Sequence, residues 1–242
     1  WDAAGAVLAR EHDALLAAAT SVRNGRIVAV KGIGGFHLVA DAGNQRALQQ
    51  LRARKQRIEK PFAVMFPALA DVKECCHVSP IEAALLSGPA RPIVLLRPMK
   101  ESLAPAVAPG NPWLGALLPY APLHHLLMQV LGFPIVVTSG NVADEPIVID
   151  EIEAVDRLAG IADLFLVHDR PIVRPLDDSV AREVCGREQI LRRARGYAPT
   201  LVTVDGVAPG ILAFGGHLKA AIALSTPGGV IVSQHLGDLD TE

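Results

Sequence analysis

The sequence predicts an α/β protein: a twisted mixed sheet with flanking helices, followed by a short β-meander. Short aliphatic runs bounded by glycine or proline alternate with helical patterns through the first part of the chain. Half of the 242 residues are hydrophobic and only 4% are aromatic, which is enough for an aliphatic core. Beyond a connector at residues 197–209, the sequence shows no further helical pattern. We therefore predict a first domain over residues 1–203, and a linker with the start of a second domain over residues 204–242.

The predicted helices have apolar residues at helical spacing or acidic residues in their first turn. Asn44 lies at an N-cap position, and Pro61 is the predicted end of the helix that starts there. The predicted helices cover residues 3–22, 44–60, 67–74, 80–87, 123–131 and 150–159.

The predicted strands are short, aliphatic and bounded by turn residues. Residues 101–122 fit neither pattern, and residues 197–209 are predicted to be a connector. The three strands of the meander cannot bury both faces of a sheet by themselves. The predicted strands cover residues 26–30, 36–40, 62–66, 91–97, 133–138, 164–167, 172–173, 179–184 and 189–193, and then 211–214, 218–224 and 230–233.

Composition excludes several classes of protein. A net charge of -2 provides no global positive field for coating nucleic acid, so any anion site must be local. The odd set Cys75, Cys76 and Cys185 suits neither a disulfide framework nor zinc, and we expect a reducing cytosol. No leader starts the chain, and no apolar run reaches the ~18 residues of a membrane span. Trp1 is not a start methionine and the last residues offer no natural stop, so we expect a fragment.

A cluster of five cations lies near the end of the helix that begins at Asn44, with Glu59 as the one acid among them. They could simply be solvated and complement the helix dipole. Alternatively, they could bind the oxygens of a triphosphate or of a nucleic-acid backbone. The five are Arg52, Arg54, Lys55, Arg57 and Lys60.

Two turns that follow strands are further candidates for a binding site. The glycine-rich corner 31–35 could direct backbone N–H groups toward an anion, although it matches neither a P-loop nor a dinucleotide motif and could be only a tight turn. His37, just after it, is by itself better explained as a packing residue. Ser139 and Asn141 follow a buried strand, where α/β proteins bind ligands, but an ordinary turn is the alternative.

Charged residues gather again between residues 174 and 195. Asp177 and Asp178 could hold Mg²⁺ through water or could be turn acids. The spacing of His124-His125 and of Cys75-Cys76 does not suit metal, and we expect these pairs to be structural. The other members of the group are Arg174, Ser179, Arg192, Arg193 and Arg195.

These segments, in this order, resemble the YrdC-like domain of the HypF family of hydrogenase-maturation carbamoyltransferases. The matching stretches are residues 27–38, 54–62, 138–141, 174–180 and 192–199. Residues 213–219 and 234–239 are similar to the start of that family's carbamoyl-transfer domain, which has an actin/Hsp70-type fold. The resemblance covers nearly the whole chain. It implies that the acylphosphatase-like and zinc-finger modules and most of the transfer domain are missing here.

The resemblance also implies roles for individual residues. The K-x-R and S-x-N elements of relatives that make threonylcarbamoyl-adenylate correspond to Lys55, Arg57, Ser139 and Asn141, which would bind ATP phosphates on a concave sheet face. Those relatives carry threonines where this chain has glycines in the corner, which fits the smaller carbamoyl group. Further ligand-binding residues implied in this way are Lys31, Gly32, Gly34, Gly35, His37, Lys60, Ser179, Arg192 and Arg195, with no protein metal ligand.

The implied reaction is adenylation with ATP and Mg²⁺. A carbamate-level species from carbamoyl phosphate attacks the α-phosphorus, carbamoyl-adenylate forms and pyrophosphate leaves, without a protein nucleophile. The carbamoyl group then passes to the C-terminal cysteine of a partner maturation protein, in the cytoplasm. The alternatives are a double-stranded RNA-binding module, an antibiotic O-carbamoyltransferase and a threonylcarbamoyl-adenylate synthase. The antibiotic O-carbamoyltransferase is disfavoured because its transfer domain precedes the YrdC-like domain, the reverse of the order here. The threonylcarbamoyl-adenylate synthase is disfavoured by the glycines at positions 32 and 34 and by the appended tail.

Overall fold

The structure is a computed structural model that describes residues 1–99, 103–142, 145–216 and 220–236. These residues form a mixed ten-stranded sheet with six α-helices, and a separate antiparallel sheet of four strands. This arrangement confirms the predicted fold class. None of the described helices combines the length and the apolar character needed to cross a membrane.

The helices cover both faces of the large sheet, and a short 3-10 turn follows β5 at Pro105–Val107. The helices are α1 (Glu11–Arg23), α2 (Gln45–Lys55), α3 (Leu69–Cys75), α4 (Pro80–Ser87), α5 (Pro122–Leu131) and α6 (Glu151–Leu158).

The strands of the large sheet are mostly short. They are β1 (Val28–Lys31), β2 (Phe36–Asp41), β3 (Ala63–Met65), β4 (Cys76–His77), β5 (Ile93–Pro98), β6 (Leu114–Leu117), β7 (Ile135–Ser139), β8 (Leu164–Leu166), β9 (Val180–Val184) and β10 (Arg187–Arg192). Their order is β10-β9-β5-β6-β3-β7-β2-β1-β8, and β4 pairs with β5.

The small sheet has the order β11-β14-β13-β12. Its strands are β11 (Leu201–Val202), β12 (Leu212–Phe214), β13 (Ile222–Thr226) and β14 (Gly229–Val232). The first of them lies inside the stretch predicted to be a connector, so that part of the prediction is wrong. The meander has four strands because β11 adds to the free edge of β14.

The core has two halves, one on each face of the large sheet. Alternation along β2 shows the division, because successive side chains of a strand point to opposite faces. Phe36 and Leu38 pack with α2, α3, α4 and α6, whereas Val39 packs with α1 and α5. The register pairs His37 with Ser139, so the polar end of β7 lies beside the start of β2.

The predicted first helix is wrong over its first eight residues. Asp2 accepts the backbone N–H groups of Ala4 and Ala6, each at 2.9 Å, and forms a local turn instead. Asp2 also forms an isolated bridge with Leu164 of β8, so the chain start continues the sheet edge. A side-chain turn of this kind competes with helix formation, which is why α1 begins only at Glu11.

The helix that contains the cation cluster ends earlier than predicted, at Lys55 rather than before Pro61. Gln56 adopts a left-handed conformation with φ 53°. Its N–H donates to Ala53 O, and the Arg57 N–H donates to Arg52 O at 3.0 Å. These two bonds define a Schellman motif, which ends a helix without any proline.

Other predicted elements differ in smaller ways. Residues 172–173 do not form a strand, and β4 was missed because a two-residue strand carries no periodic pattern. β6 lies within residues 101–122, a stretch rich in proline and alanine for which the sequence predicts no element, and it contains Gly115. A Cβ at that glycine would lie 2.9 Å from Ile93 Cγ2, so close packing against β5 explains it. Residues 217–219 and 237–239 of the predicted tail segments lie outside the described residues.

Replacing Gln56 with glycine should stabilise the protein, because glycine adopts the left-handed conformation without a steric penalty. We expect the free energy of unfolding to rise by about 0.5–1 kcal/mol in chemical denaturation. Gln56→Ala is the control and should give no gain. Equal stability of Gln56→Gly and Gln56→Ala would contradict the Schellman assignment.

Candidate functional site

The Lys55 side chain is buried and joins the end of α2 to the turn that follows β7. Its ammonium donates to Ser139 O at 2.6 Å, to Asn141 O at 2.7 Å and to Asn141 Oδ1 at 2.8 Å. An ammonium has three N–H donors, so all of them are used here. Lys55 is 5% exposed. The structure therefore brings Lys55 to Ser139 and Asn141, but as the group that organises their turn.

The turn at Ser139–Asn141 is internally satisfied. Ser139 Oγ donates to Asn141 Oδ1 at 2.6 Å, and Asn141 Nδ2 donates to Glu145 O at 2.7 Å. Gly140 between them donates its N–H to Phe36 O at 2.6 Å. A Cβ at Gly140 would lie 2.7 Å from that same oxygen, so only glycine permits this approach. The bond ties the Ser139–Asn141 turn directly to the glycine corner.

Arg57 lies two residues beyond Lys55 and keeps part of its guanidinium available. Its Nε donates to Lys60 O at 3.1 Å, and its Nη2 donates to Pro61 O at 2.7 Å. Nη1 lies 3.4 Å from Thr138 Oγ1, at the end of β7. Of the five N–H groups of an arginine, two have no acceptor among the residues that the structure describes, and these can bind another acceptor.

Arg52 holds the loop that carries Arg57. It donates to the backbone oxygens of Ala106 (2.7 Å) and Arg57 (2.9 Å), and its guanidinium lies 4.4 Å from the centre of the Phe62 ring. Arg54 is used elsewhere, in an ion pair with Asp163 at 2.9 Å. Lys60 is exposed. The five clustered cations therefore fall into three groups. Arg52 and Arg54 support the fold, Lys55 belongs to the hydrogen-bond network of the turn, and Arg57 and Lys60 keep donors available.

Burial weakens the charged form of both site cations. It lowers the pKa of Lys55 to about 7, an effect that Arg57 increases and the Asp177 carboxylate opposes. Burial, Arg52 and Arg192 lower the pKa of Arg57 to about 10, and Asp177 again opposes them. A site that depresses the pKa of its cations in this way gains from the arrival of an anion.

The glycine corner closes on itself through a bond from the Gly32 N–H to Gly35 O at 2.9 Å. Lys31, at its start, is fully buried and pairs with Glu151 Oε1 at 2.5 Å and His168 O at 3.0 Å. A Cβ at Gly34 would lie 2.4 Å from Leu176 O. Close packing against Leu176 therefore explains why residue 34 is a glycine. Leu176, and not open space, lies where a larger side chain would extend.

The two arginines expected near a nucleotide are held by the adjacent acids. Arg192 makes a fork with Asp177, through Nη1 to Oδ2 at 3.1 Å and Nη2 to Oδ1 at 3.3 Å. Arg195 donates to Asp178 Oδ1 at 2.9 Å and to two backbone oxygens, and stacks on Tyr120 at 3.4 Å. Ser179 is buried, donates to Arg195 O and accepts the Ala194 N–H. Arg195 and Ser179 thus support the fold, whereas Arg192 is half-buried.

His37 lies in a buried polar cluster with Tyr120 and His124. The ring centres of His37 and His124 are 5.7 Å apart, and each Nδ1 lacks a hydrogen-bond partner among the described residues. His37 Nε2 lies 3.7 Å from Asp178 Oδ2. Burial lowers the pKa of both histidines, so both are neutral at pH 7. His124 was expected to be structural, and its contacts are those of a packing residue.

The acids of this region do not fit the magnesium role. Both oxygens of Asp177 are used by Arg192 and by His235 Nε2, the latter at 3.0 Å, and Asp178 is held by Arg195. Among the described residues, no group of three or more His, Cys, Asp or Glu could hold a metal ion. Any Mg²⁺ here would arrive on the nucleotide, with ligands from phosphate and water.

A cavity of about 350 Å³ opens beside the glycine corner, but Lys55, Arg57, Ser139 and Asn141 do not line it. The lining of the cavity also contains charged donors, Arg170 and Arg174 among them. The cavity is lined by Lys31, Gly32, Ile33, Ala121, Pro122, Leu123, His168, Arg170, Pro171, Ile172, Val173, Arg174 and Leu176.

Comparison with known proteins adds a second line of observation. Residues 20–194 match the family model Sua5_yciO_yrdC, described as "Telomere recombination", and residues 207–242 match the model of the HypF Kae1-like domain. Carbamoyltransferase HypF of Synechocystis sp. is 48% identical over all of this chain, which spans 32% of that relative. The chain therefore spans about a third of the length of the curated relatives it matches.

Two solved structures of HypF proteins are also similar to this chain. A full-length HypF in its phosphate- and nucleotide-bound form has a TM-score of 0.89 and 48% identity, with 94% of this chain and 36% of that one covered. HypF of T. kodakarensis has a TM-score of 0.90 and 38% identity, with 96% and 31% covered. The similarity extends through both sheets of the structure.

Acid should remove the contribution of Asp177 in a defined pH range. Burial alone would raise the pKa of this carboxyl from 3.8, but bonds from His235 and Arg192 lower it to about 2. Its ionised form therefore stabilises the fold above pH 4, and this stabilisation is lost as the pH falls through about 2. Asp177 is about a third exposed, so we expect Asp177→Asn to cost only about 1 kcal/mol at pH 7.

The measurement is the free energy of unfolding of wild type and Asp177→Asn from pH 7 to pH 2.5. The difference between them should stay constant down to about pH 4 and then shrink. The control is Asp169→Asn, at an exposed position, with an expected change below about 0.5 kcal/mol. A wild-type advantage that grows toward pH 2.5 would contradict the assigned bonds.

Proposed function

The chain belongs to the Sua5/YciO/YrdC family, and on that premise we propose that it forms carbamoyl-adenylate from ATP within a carbamoyltransferase of hydrogenase maturation. Its homology to the HypF carbamoyltransferases supports this reading. The observation that carries it is that Lys55 donates to Ser139 and Asn141 and that Arg57 contacts the neighbouring Thr138, 81 residues away in the sequence. A HypF relative with 48% identity was solved with nucleotide and phosphate bound.

In the proposed reaction, an oxygen of a carbamate-level species derived from carbamoyl phosphate attacks the α-phosphorus of ATP. The bond between the α-phosphorus and the bridging oxygen breaks, and pyrophosphate leaves with that oxygen. The protein contributes positioning and charge neutralisation rather than a nucleophile. Mg²⁺ bound to the nucleotide would neutralise part of the phosphate charge.

The cations have different roles in this proposal. Arg57 uses its two free N–H groups to bind phosphate oxygens, and the exposed Lys60 adds a point charge. Lys55 acts through its positive charge and through the turn that it holds, since its donors are already used. Ser139 Oγ keeps a lone pair, and its O–H can turn from Asn141 to an incoming oxygen.

The other residues implied by the family resemblance support the carbamoyl end and the rim of the site. The glycine corner lies next to the Ser139–Asn141 turn, because the Gly140 N–H donates to the oxygen of Phe36, which follows the corner. The residues of this part of the site are Lys31, Gly32, Gly34, Gly35 and His37. Arg192, which is less buried than Arg195, adds positive charge at the rim of the nucleotide site while it holds Asp177. The transfer of the carbamoyl group to the C-terminal cysteine of a partner maturation protein, in the cytoplasm, is part of the same proposal.

Intramolecular bonds weaken the double-stranded RNA alternative. Gripping a nucleic-acid backbone requires several free cations in a row. Arg52, Arg54 and Lys55 are all engaged within the fold, which leaves only Arg57 and Lys60 of the cluster to meet a backbone. The threonylcarbamoyl-adenylate alternative is weakened as well. Leu176 fills the space beside Gly34, so a threonine side chain does not fit at that position.

The first test is ATP-dependent pyrophosphate release in the presence of carbamoyl phosphate. Because Arg57 and Lys55 neutralise developing phosphate charge, Arg57→Ala and Lys55→Ala should each cost about 2 kcal/mol or more of transition-state stabilisation, roughly a 30-fold loss in kcat/KM. Arg54→Ala is the matched control, a cation of the same helix that pairs with Asp163 instead. Its activity should stay within about twofold of wild type.

Wild-type rates in both Arg57→Ala and Lys55→Ala would show that the phosphates bind elsewhere. Lys55→Ala also removes the ammonium that binds Ser139 O, Asn141 O and Asn141 Oδ1, so we expect it to unfold at a lower temperature than Arg57→Ala. Strongly salt-dependent RNA binding without pyrophosphate release would favour the binding-module alternative instead.

A further inference from the structure

The segment 233–236 connects the small sheet with the candidate nucleotide site. On one side it is fixed to the small sheet, because the Ser233 N–H donates to Ile222 O at 2.8 Å and the Leu236 N–H donates to Ala220 O at 2.7 Å. This segment belongs to the part of the chain that matches the Kae1-like domain, not the Sua5/YciO/YrdC model. It is therefore a contribution of the second domain.

On its other side the segment makes three hydrogen bonds to the first domain. The His235 N–H donates to Arg193 O at 3.0 Å, and Gln234 Nε2 donates to Pro175 O at 3.2 Å. His235 Nε2 lies 3.0 Å from Asp177 Oδ2. An ionised carboxylate has only acceptors, so Nε2 is the donor in this contact. The His235 side chain is 10% exposed.

The charge of Asp177 acts on the cations of the proposed phosphate site. Its charge opposes the burial effect at both Lys55 and Arg57, and Arg192 acts on Arg57 in the opposite sense. The charges of Asp177, Arg192 and the two site cations therefore interact with one another. A carboxylate released among these charges would be drawn to the positive charge of Arg57 and Lys55, and it would compete with phosphate oxygens for the N–H groups of Arg57.

We propose that His235 is a positioning residue that keeps Asp177 on Arg192 and away from Lys55 and Arg57. While segment 233–236 is docked, the cations stay available to the nucleotide. When His235 withdraws, Asp177 loses one side-chain donor, keeps Arg192 and the Asp178 N–H as partners, and competes with phosphate. The second domain thereby adjusts the ATP affinity of the first. This inference rests on the proposed nucleotide site and adds to it a contact from outside the adenylation domain.

The test is ATP binding by the whole chain, measured by calorimetry in EDTA so that no magnesium ligand enters the comparison. His235→Phe, which keeps the ring but removes the donor, should weaken ATP binding about fivefold. His235→Gln, which places an N–H near the position of Nε2, should restore the affinity to within about twofold of wild type. In an Asp177→Asn background, His235→Phe should have no further effect, since the amide does not compete for cations.

Gln234→Ala is the matched control, because it removes a bond from the same segment without touching Asp177. Its ATP affinity should equal that of wild type. Asp177→Asn alone should bind ATP at least as tightly as wild type, and this result does not depend on whether His235→Phe folds. Weaker binding by Asp177→Asn would overturn the proposal.

The remaining outcomes separate the two levels of inference. Failure of the wild type to bind ATP would refute the proposed function itself. Wild-type binding with an unchanged His235→Phe would refute only the role of His235. A loss in Gln234→Ala as large as that in His235→Phe would show that docking of the segment alone matters, and would also refute that role.

Discussion

The candidate site depends on one buried ammonium group. Lys55 brings a positive charge into the interior, where an unpaired charge is costly, and three oxygens of the Ser139–Asn141 turn satisfy its three donors. The same bonds fix the turn, whose glycine is in turn bonded to the first residue of β2. Helix end, turn and glycine corner are thus one connected unit.

Backbone geometry explains the spacing of the two site cations. In the Schellman motif at the end of α2, Lys55 is the last helical residue, Gln56 takes the left-handed conformation and Arg57 leaves the helix in a new direction. Lys55 donates to Ser139 and Asn141, and Arg57 contacts Thr138, so both side chains reach the end of β7 and the turn that follows it.

The sequence predicts the fold class and the central helix well because both rest on periodicity and on an N-cap. Asn44 accepts the Ala47 N–H as its position predicts. The end of that helix was predicted wrongly, since nothing in glutamine marks a left-handed residue. Likewise residues 101–122 show no periodic pattern, and only the close approach of Ile93 to Gly115 shows why the strand β6 contains a glycine.

The candidate site was predictable residue by residue only where the family resemblance supplied motifs. No sequence signal connects His235 with Asp177, because the contact spans 58 residues and two domains. Similarly, the distribution of the five cations between internal support and free donors follows from tertiary contacts. Arg52 and Arg54 have the same local pattern as Arg57, but carbonyl and carboxylate partners from distant segments occupy them.

The most direct test of the account is a crystal structure of this chain with a non-hydrolysable ATP analogue. We predict phosphate oxygens within about 3 Å of the Arg57 guanidinium, beside the Ser139–Asn141 turn, with Lys55 still bonded to at least two of its present acceptors. Phosphates bound instead in the cavity beside Arg170 and Arg174, with Arg57 untouched, would contradict the account.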